Sequence, residues 1–130
     1  MILADSDILI DALRGRSPAR ERIELELGTG RLATTVISVY ELLSGARTDK
    51  ERAKVELLLG ALTPLPLDDA AARCAAQVDR ALAETGQRLA PADTLIAGIC
   101  LSRSAVLLTR NRKHFERVKG LSLTHMDVTE

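Results

Sequence analysis

The chain has 130 residues and carries 18 basic and 18 acidic side chains, so its net charge neither indicates nor excludes a polyanionic partner. Hydrophobic residues make up 46% of it, enough for the core of one globular domain over residues 1–130. Its only aromatic residues are Tyr40 and Phe115, which argues against RNA binding on a platform of stacked aromatic rings.

The hydrophobic pattern predicts strands and helices that alternate along the chain. In chain order the predicted elements are strand 2–5, helix 6–13, helix 18–27, strand 32–38, helix 38–46, helix 49–62, strand 63–67, helix 68–86, helix 91–102, strand 105–109, helix 111–118 and strand 121–126. Helix 91–102 is apolar nearly all round, so we expect it to be buried. The alternation predicts a single α/β domain with a mostly parallel central sheet of four to five strands, flanked by helices.

Two features bear on the cellular compartment. No apolar run reaches the roughly 20 residues needed to cross a bilayer, and the first residues show neither a basic leader nor a small-residue cleavage site. We therefore expect a cytoplasmic protein with no membrane partner.

Three acids are predicted to meet at one edge of the sheet. Asp5 ends the first strand, and Glu41 lies in the first turn of predicted helix 38–46. Asp93 begins helix 91–102, which enters strand 105–109 through a short connection and must run antiparallel to it. The start of that helix therefore lies where the strands end. Ligands of open parallel sheets bind at this carboxyl edge, so the three acids are candidate site residues.

Each acid also has a structural interpretation as a helix-start residue. Asp5 or Asp7 could cap the first helix, Glu41 could pair with Ser38 in a capping box, and Asp93 could complement a helix dipole. Convergence favours a functional interpretation, because two unit charges about 4 Å apart repel by roughly 4 kcal/mol at an effective dielectric constant of ~20. A bound cation relieves that repulsion for all three.

The expected ligands are oxygens, which favours Mg²⁺ or Mn²⁺ over Zn²⁺. Such an ion can activate water and shield charge during in-line attack on a phosphate. Basic side chains follow the first helix and strand 105–109, and both groups would flank the acids: Arg14, Arg16, Arg110, Arg112 and Lys113. They could hold a polyanion, although each group alone is also typical of a solvated helix face.

Four segments in order resemble the motifs of the PIN domain, and within it those of VapC-type toxins from bacterial toxin–antitoxin pairs. The segments are residues 2–11 (ILADSDILID), 38–42 (SVYEL), 92–97 (ADTLIA) and 107–121 (LLTRNRKHFERVKGL). The resemblance implies that Asp5, Glu41 and Asp93 form a metal-holding catalytic triad, and that Thr109 and Asn111 line the site.

Many members of this family carry a fourth acid two to three residues after the position of Asn111. Here His114 stands there, which favours one tightly held ion over a two-metal site. Other acids are interpreted as structural or surface residues: Asp11, Asp68, Asp69 and Asp79.

The predicted function is a Mg²⁺- or Mn²⁺-dependent endoribonuclease that acts as a toxin and cleaves RNA with metal-activated water. Arg14, Arg110 and Arg112 are predicted to bind the substrate with Thr109 and Asn111. The resemblance further implies a cognate antitoxin and a homodimer. One alternative is a catalytically weak PIN-fold binding module. Another is a phosphatase of the haloacid-dehalogenase type, because residues 5–7 are similar to the nucleophile motif of that class. That class also needs a pair of acids after a late strand, and no such pair follows strand 105–109.

Overall fold

The structure is a computed structural model that describes residues 1–125. Its strands are β1 (Ile2–Ala4), β2 (Leu32–Thr35), β3 (Thr63–Leu65), β4 (Val106–Leu108) and β5 (Ser122–Thr124). Its helices are α1 (Ser6–Leu13), α2 (Ala19–Thr29), α3 (Val36–Gly45), α4 (Asp49–Leu59), α5 (Asp69–Glu84), α6 (Pro91–Arg103) and α7 (Arg112–Phe115). All strand pairs are parallel, in the order β3-β2-β1-β4-β5, which confirms the predicted α/β domain. Residue 126, the last of predicted strand 121–126, lies outside the described residues.

Helices cover both faces of the sheet. Side chains of neighbouring strand residues point to opposite faces, so one strand contributes to the core on each side. Leu3 and Leu107 belong to a core cluster that includes residues of α5 and α6, whereas Ala4 and Leu108 belong to a cluster built with α1 and α2. The middle of α6 is buried, as its apolar sequence predicts. Within residues 1–125, no helix has the length and apolar character needed to span a membrane.

The start of α3 differs from the sequence prediction. The predicted strand 32–38 ends at Thr35, and the helix begins at Val36 rather than at Ser38. Thr35 is the N-cap, since its hydroxyl oxygen accepts the Ser38 backbone N–H at 3.1 Å. This cap stabilises the first turn and outweighs the strand preference of the β-branched residues Val36 and Ile37. Glu41 therefore lies in the second turn of α3, and the proposed capping box with Ser38 is wrong.

Gly98 sets the close approach of α6 to α5. A Cβ atom at this position would lie 2.6 Å from the Ala71 carbonyl oxygen and 2.7 Å from Ala75 Cβ. We expect Gly98→Ala to lower the free energy of unfolding by about 1–3 kcal/mol, because the backbone of α5 would have to move. Denaturant unfolding measures this change. Gly28→Ala is the control, because a Cβ on Gly28 in α2 meets nothing within 4 Å; equal stabilities of both variants would contradict the prediction.

Candidate active site at the carboxyl edge of the sheet

Asp5 lies where β1 ends and α1 begins, and its side chain is held from two sides. Its Oδ1 accepts the Ile8 backbone N–H at 3.2 Å, which makes Asp5 the N-cap of α1. Its Oδ2 accepts a hydrogen bond from the hydroxyl of Thr109, the residue that follows β4. Because β1 and β4 are neighbours paired from Ile2 to Ala4, the two side chains meet directly across the sheet edge. The capping interpretation of Asp5 is thus correct, and it is compatible with a second role.

The carboxyl group of Asp5 is only 4% exposed, and its burial raises its pKa from 3.8 to about 7. The hydrogen bonds from Thr109 and Ile8 lower this pKa in part, while the charges of Asp7 and Asp93 raise it. A buried acid among other acids binds a proton or a cation more readily than an isolated surface carboxylate does.

Asp93 lies in the first turn of α6, as predicted, and the charges of nearby acids change its pKa. Burial raises its pKa, the charges of Asp7 and Glu41 raise it further, and the charge of His114 lowers it. The structure therefore brings Asp5, Asp93 and Glu41 into one electrostatic neighbourhood, together with Asp7. His114, from α7, reaches the same neighbourhood.

Glu41 reaches this edge from α3, and Ser6 holds it there. The Ser6 hydroxyl donates to Glu41 Oε1 at 2.5 Å and lies 3.1 Å from the Ser38 hydroxyl. Ser6 and Ser38 are both buried, which fixes the direction of the glutamate side chain. The sequence alone does not indicate Ser6 as a site residue, because its partner Glu41 is 35 residues away and only the fold reveals the contact.

The donor set suits a hard divalent cation. Within residues 1–125, no three carboxylate, imidazole or thiol groups are already arranged as a metal-binding cluster. Carboxylates that repel one another do not have to reach ligand spacing before a cation neutralises them. Each carboxylate carries about four acceptor positions, so the bonds made by Asp5 and Glu41 leave lone pairs for an ion. Carboxylate oxygens are the donors that hard divalent cations such as Mg²⁺ and Mn²⁺ prefer.

The predicted substrate-binding arginines lie in three different environments. Arg110 donates from Nη1 to Asp11 Oδ2 at 2.7 Å, and its Nη2 lies 4.0 Å from Asp7 Oδ2. Arg112 donates from Nη1 to the backbone carbonyl of Thr124 at 2.7 Å, so it also holds the end of β5. Arg14 is exposed at the end of α1. Their roles toward a substrate remain predictions.

Arg14 and Glu41 lie on the wall of a groove of about 430 Å³ between α1, α3 and α4. Apolar side chains also line this groove, among them Leu13, Leu42 and Val55. The groove therefore joins an apolar surface to one of the predicted catalytic acids.

Thr109 connects two parts of the site. Its buried hydroxyl donates to Asp5 and accepts the Asn111 backbone N–H at 3.0 Å, so it fixes both the acid and the turn after β4. We expect Thr109→Val to lower the free energy of unfolding by about 1–3 kcal/mol, because the buried Asp5 carboxyl group and the half-buried Asn111 N–H lose their partner without a change in side-chain volume. Urea unfolding of the metal-free chain at pH 7 measures the change. The surface variant Thr63→Val on edge strand β3 serves as a control, and equal unfolding midpoints for both variants would refute the expectation.

The family and the relatives of this chain follow from comparison with known proteins. The PIN domain family matches residues 2–121. The chain belongs to this family. This chain is 31% identical over 123 residues to the tRNA(fMet)-specific endonuclease VapC of Shigella flexneri, and the match covers 92% of each chain. It is 37% identical over 121 residues to ribonuclease VapC10 of Mycobacterium tuberculosis, covering 93% of this chain and 90% of that one.

Solved structures share the fold of this PIN domain. VapBC from Salmonella typhimurium, solved bound to DNA, has a TM-score of 0.85 and 28% identity, with 96% of this chain and 97% of that one covered. VapBC2 from Rickettsia felis, bound to a fragment of its promoter, has a TM-score of 0.87 at 22% identity, with 95% and 98% covered. The fold expected from the resemblance is therefore confirmed. None of these similarities supports the phosphatase alternative.

Proposed function

We propose that this PIN domain is a divalent-metal-dependent endoribonuclease and the toxin of a toxin–antitoxin pair. The observation that carries the proposal is the gathering of Asp5, Glu41 and Asp93 at one sheet edge, where the pKa values of Asp5 and Asp93 are raised. A protein that did not use these acids would gain stability by separating them. The names of the relatives, endonuclease and ribonuclease, support the same conclusion.

In the proposed mechanism Asp5, Glu41 and Asp93 would hold the ion, and hydroxyl groups set the directions of Asp5 and Glu41. A bound Mg²⁺ or Mn²⁺ would supply Lewis-acid activation of water and neutralise charge on the scissile phosphate. Thr109 orients Asp5 and Ser6 orients Glu41, so neither carboxylate has to be ordered during catalysis.

We further propose that one ion is held. A second ion would need another anionic ligand, at the position where many members of the family carry a fourth acid. The sequence has His114 at that position, and its charge lowers the pKa of Asp93, whereas an acid there would raise it. Calorimetric titration with Mn²⁺ is expected to give a stoichiometry of one, and a stoichiometry of two would contradict this part of the proposal.

RNA is the proposed substrate, held by its phosphates on Arg14, Arg110 and Arg112. Arginine is suited to this task, because its planar guanidinium makes paired hydrogen bonds to phosphate. The relative from Shigella flexneri is named for cleavage of the initiator tRNA. An initiator tRNA is therefore the first defined substrate to test on this chain.

The proposed protein partners are a cognate antitoxin and a second copy of this chain, in the cytoplasm. The similar solved structures from Salmonella typhimurium and Rickettsia felis are VapBC assemblies. On this chain, the groove lined by Glu41 and by apolar side chains would give an antitoxin segment access to one of the acids. Analytical ultracentrifugation of the purified chain tests the homodimer.

The decisive experiment is RNA cleavage by the purified chain without a partner. The chain is incubated with total cellular RNA and with initiator tRNA in Mg²⁺, in Mn²⁺ and in EDTA. Cleavage that requires the metal and stops in an Asp93→Asn variant supports the proposal. Metal-dependent binding without cleavage of any RNA would favour the alternative of a PIN-fold binding module.

A further inference from the structure

Asp11 is a nearly buried acid outside the predicted triad. It lies near the end of α1 and is 7% exposed. Its Oδ2 accepts a hydrogen bond from Arg110 Nη1 at 2.7 Å, and its Oδ1 lies 3.5 Å from Arg16 Nη1. A single carboxylate thus engages two guanidinium groups, one from the loop after α1 and one from the loop after β4.

The contact with Arg110 places a positive charge at the edge of the acidic site. Arg110 directly follows Thr109, whose hydroxyl donates a hydrogen bond to Asp5. The Nη2 atom of Arg110 lies 4.0 Å from Asp7 Oδ2. The side chains of Arg110 and Arg16 are 52% and 58% exposed. Each guanidinium has five N–H donors, so both arginines keep donors that face solvent.

We propose that Asp11 is a positioning residue that holds Arg110 and Arg16 as a two-arginine phosphate-binding site beside the acids. The proposal rests on the proposed function, because the phosphates are those of an RNA that crosses the acidic site. Free arginine side chains lose rotamer entropy when they bind, and Asp11 removes much of that cost in advance. The Asp11 and Asp7 carboxylates balance the charge of the two guanidinium groups, so a phosphate would be held by the exposed N–H donors of Arg110 and Arg16 rather than by an excess of positive charge.

A purely electrostatic view makes the opposite prediction about Asp11. Removal of a negative charge near an RNA path strengthens RNA binding when nothing else changes. Removal of a positioning carboxylate weakens it, because Arg110 and Arg16 lose their common anchor. The sign of the change in RNA affinity therefore separates a positioning role from an ion pair that only ties α1 to the loop after β4.

The test measures binding of a fluorescently labelled, mixed-sequence RNA of ten nucleotides by anisotropy, in EDTA and at low salt. We expect about a tenfold loss of affinity for Arg110→Ala and about a fivefold loss for Asp11→Asn. In the double variant the loss should fall short of the product of the two, because Asp11 acts through Arg110. Each lost phosphate contact should also lower the slope of log affinity against log salt by about 0.7.

The matched control is Asp69→Asn. Asp69 also pairs with an exposed arginine, Arg73 at 2.8 Å, but it begins α5 beside the C-terminal end of α6. Asp93 lies at the other end of that helix, which spans 13 residues and about 20 Å. The control should bind RNA as tightly as the unmodified chain or slightly more tightly.

Unchanged or tighter RNA binding by a folded Asp11→Asn variant would overturn the proposal. Should that variant fail to fold by circular dichroism, Arg110→Lys replaces it, since lysine keeps the charge and loses the planar fork. Full RNA affinity of Arg110→Lys would then overturn the proposal. In the cleavage assay we expect Asp11→Asn to raise KM about fivefold and to leave kcat within twofold. Loss of binding on Asp11→Asn in a chain that cleaves no RNA would sink the proposed function and leave this inference standing.

Discussion

An Asp5→Asn variant is expected to lose RNA cleavage by at least about a hundredfold while it keeps its fold. The amide oxygen can still accept the Ile8 N–H, so the cap of α1 survives. The negative charge needed to hold a cation is gone. Single-turnover cleavage of initiator tRNA measures the rate, and circular dichroism reports the fold.

Asp68→Asn is the matched control for Asp5→Asn. Asp68 is also an N-cap, since it accepts the Ala71 backbone N–H at 2.9 Å. It lies at the start of α5 with its carboxylate 3.4 Å from Arg103, at the end of α6 that is remote from Asp93. The control should cleave RNA at the rate of the unmodified chain. Equal rates for Asp5→Asn and Asp68→Asn would show that Asp5 serves only as a helix cap.

The position of Asp5 and Asp93 at the same edge of the sheet was predictable from the sequence, because it depends only on the direction of each strand and helix. A parallel sheet places the ends of β1 and β4 side by side, and a short connection from α6 into β4 returns Asp93 to the same edge. The register of β1 against β4 from Ile2 to Ala4 realises that arrangement. The sequence pattern also predicted the buried helix α6, in which residues 96–100 are all buried.

The contacts that orient the acids could not be predicted in the same way. Ser6 meets Glu41 across 35 residues, and Arg110 meets Asp11 across 99 residues. No periodicity or local propensity carries information on pairs so far apart. The sequence alone therefore indicates only a structural or surface role for Asp11, near the end of a predicted helix.

The beginning of α3 shows a local failure of a different kind. Residues 34–37 are β-branched and favour a strand, yet the chain changes from strand to helix in their midst. A side-chain cap at Thr35 decides the outcome, and Ser38 offered an equally good cap by residue type. The choice between them depends on where β2 stops pairing, which is a property of the sheet.

The metal-free PIN domain is expected to become less stable as the pH rises, which is opposite to the usual behaviour of a paired aspartate. The pKa of Asp5 is about 7 in the folded chain and near 3.8 when unfolded. Below pH 4 the group is protonated in both states and costs nothing. Between pH 4 and 7 the unfolded chain releases this proton while the folded chain retains it, so the free energy of unfolding falls. Three pKa units correspond to about 4 kcal/mol as an upper figure.

A bound cation should reverse this trend, because it stabilises the ionised form of Asp5 that burial penalises. We expect saturating Mn²⁺ to raise the melting temperature more at pH 8 than at pH 5.5, since protons no longer compete for the carboxylate. Asp5→Asn isolates the effect: it should show little gain with Mn²⁺, and its metal-free stability should decline less between pH 5 and pH 8. Parallel pH profiles for the unmodified chain and Asp5→Asn would contradict the assignment of the decline to Asp5. Parallel profiles together with an equal rise in melting temperature on adding Mn²⁺ would also show that Asp5 is not a metal ligand. The reason is that Mn²⁺ and a proton compete for the same buried carboxylate.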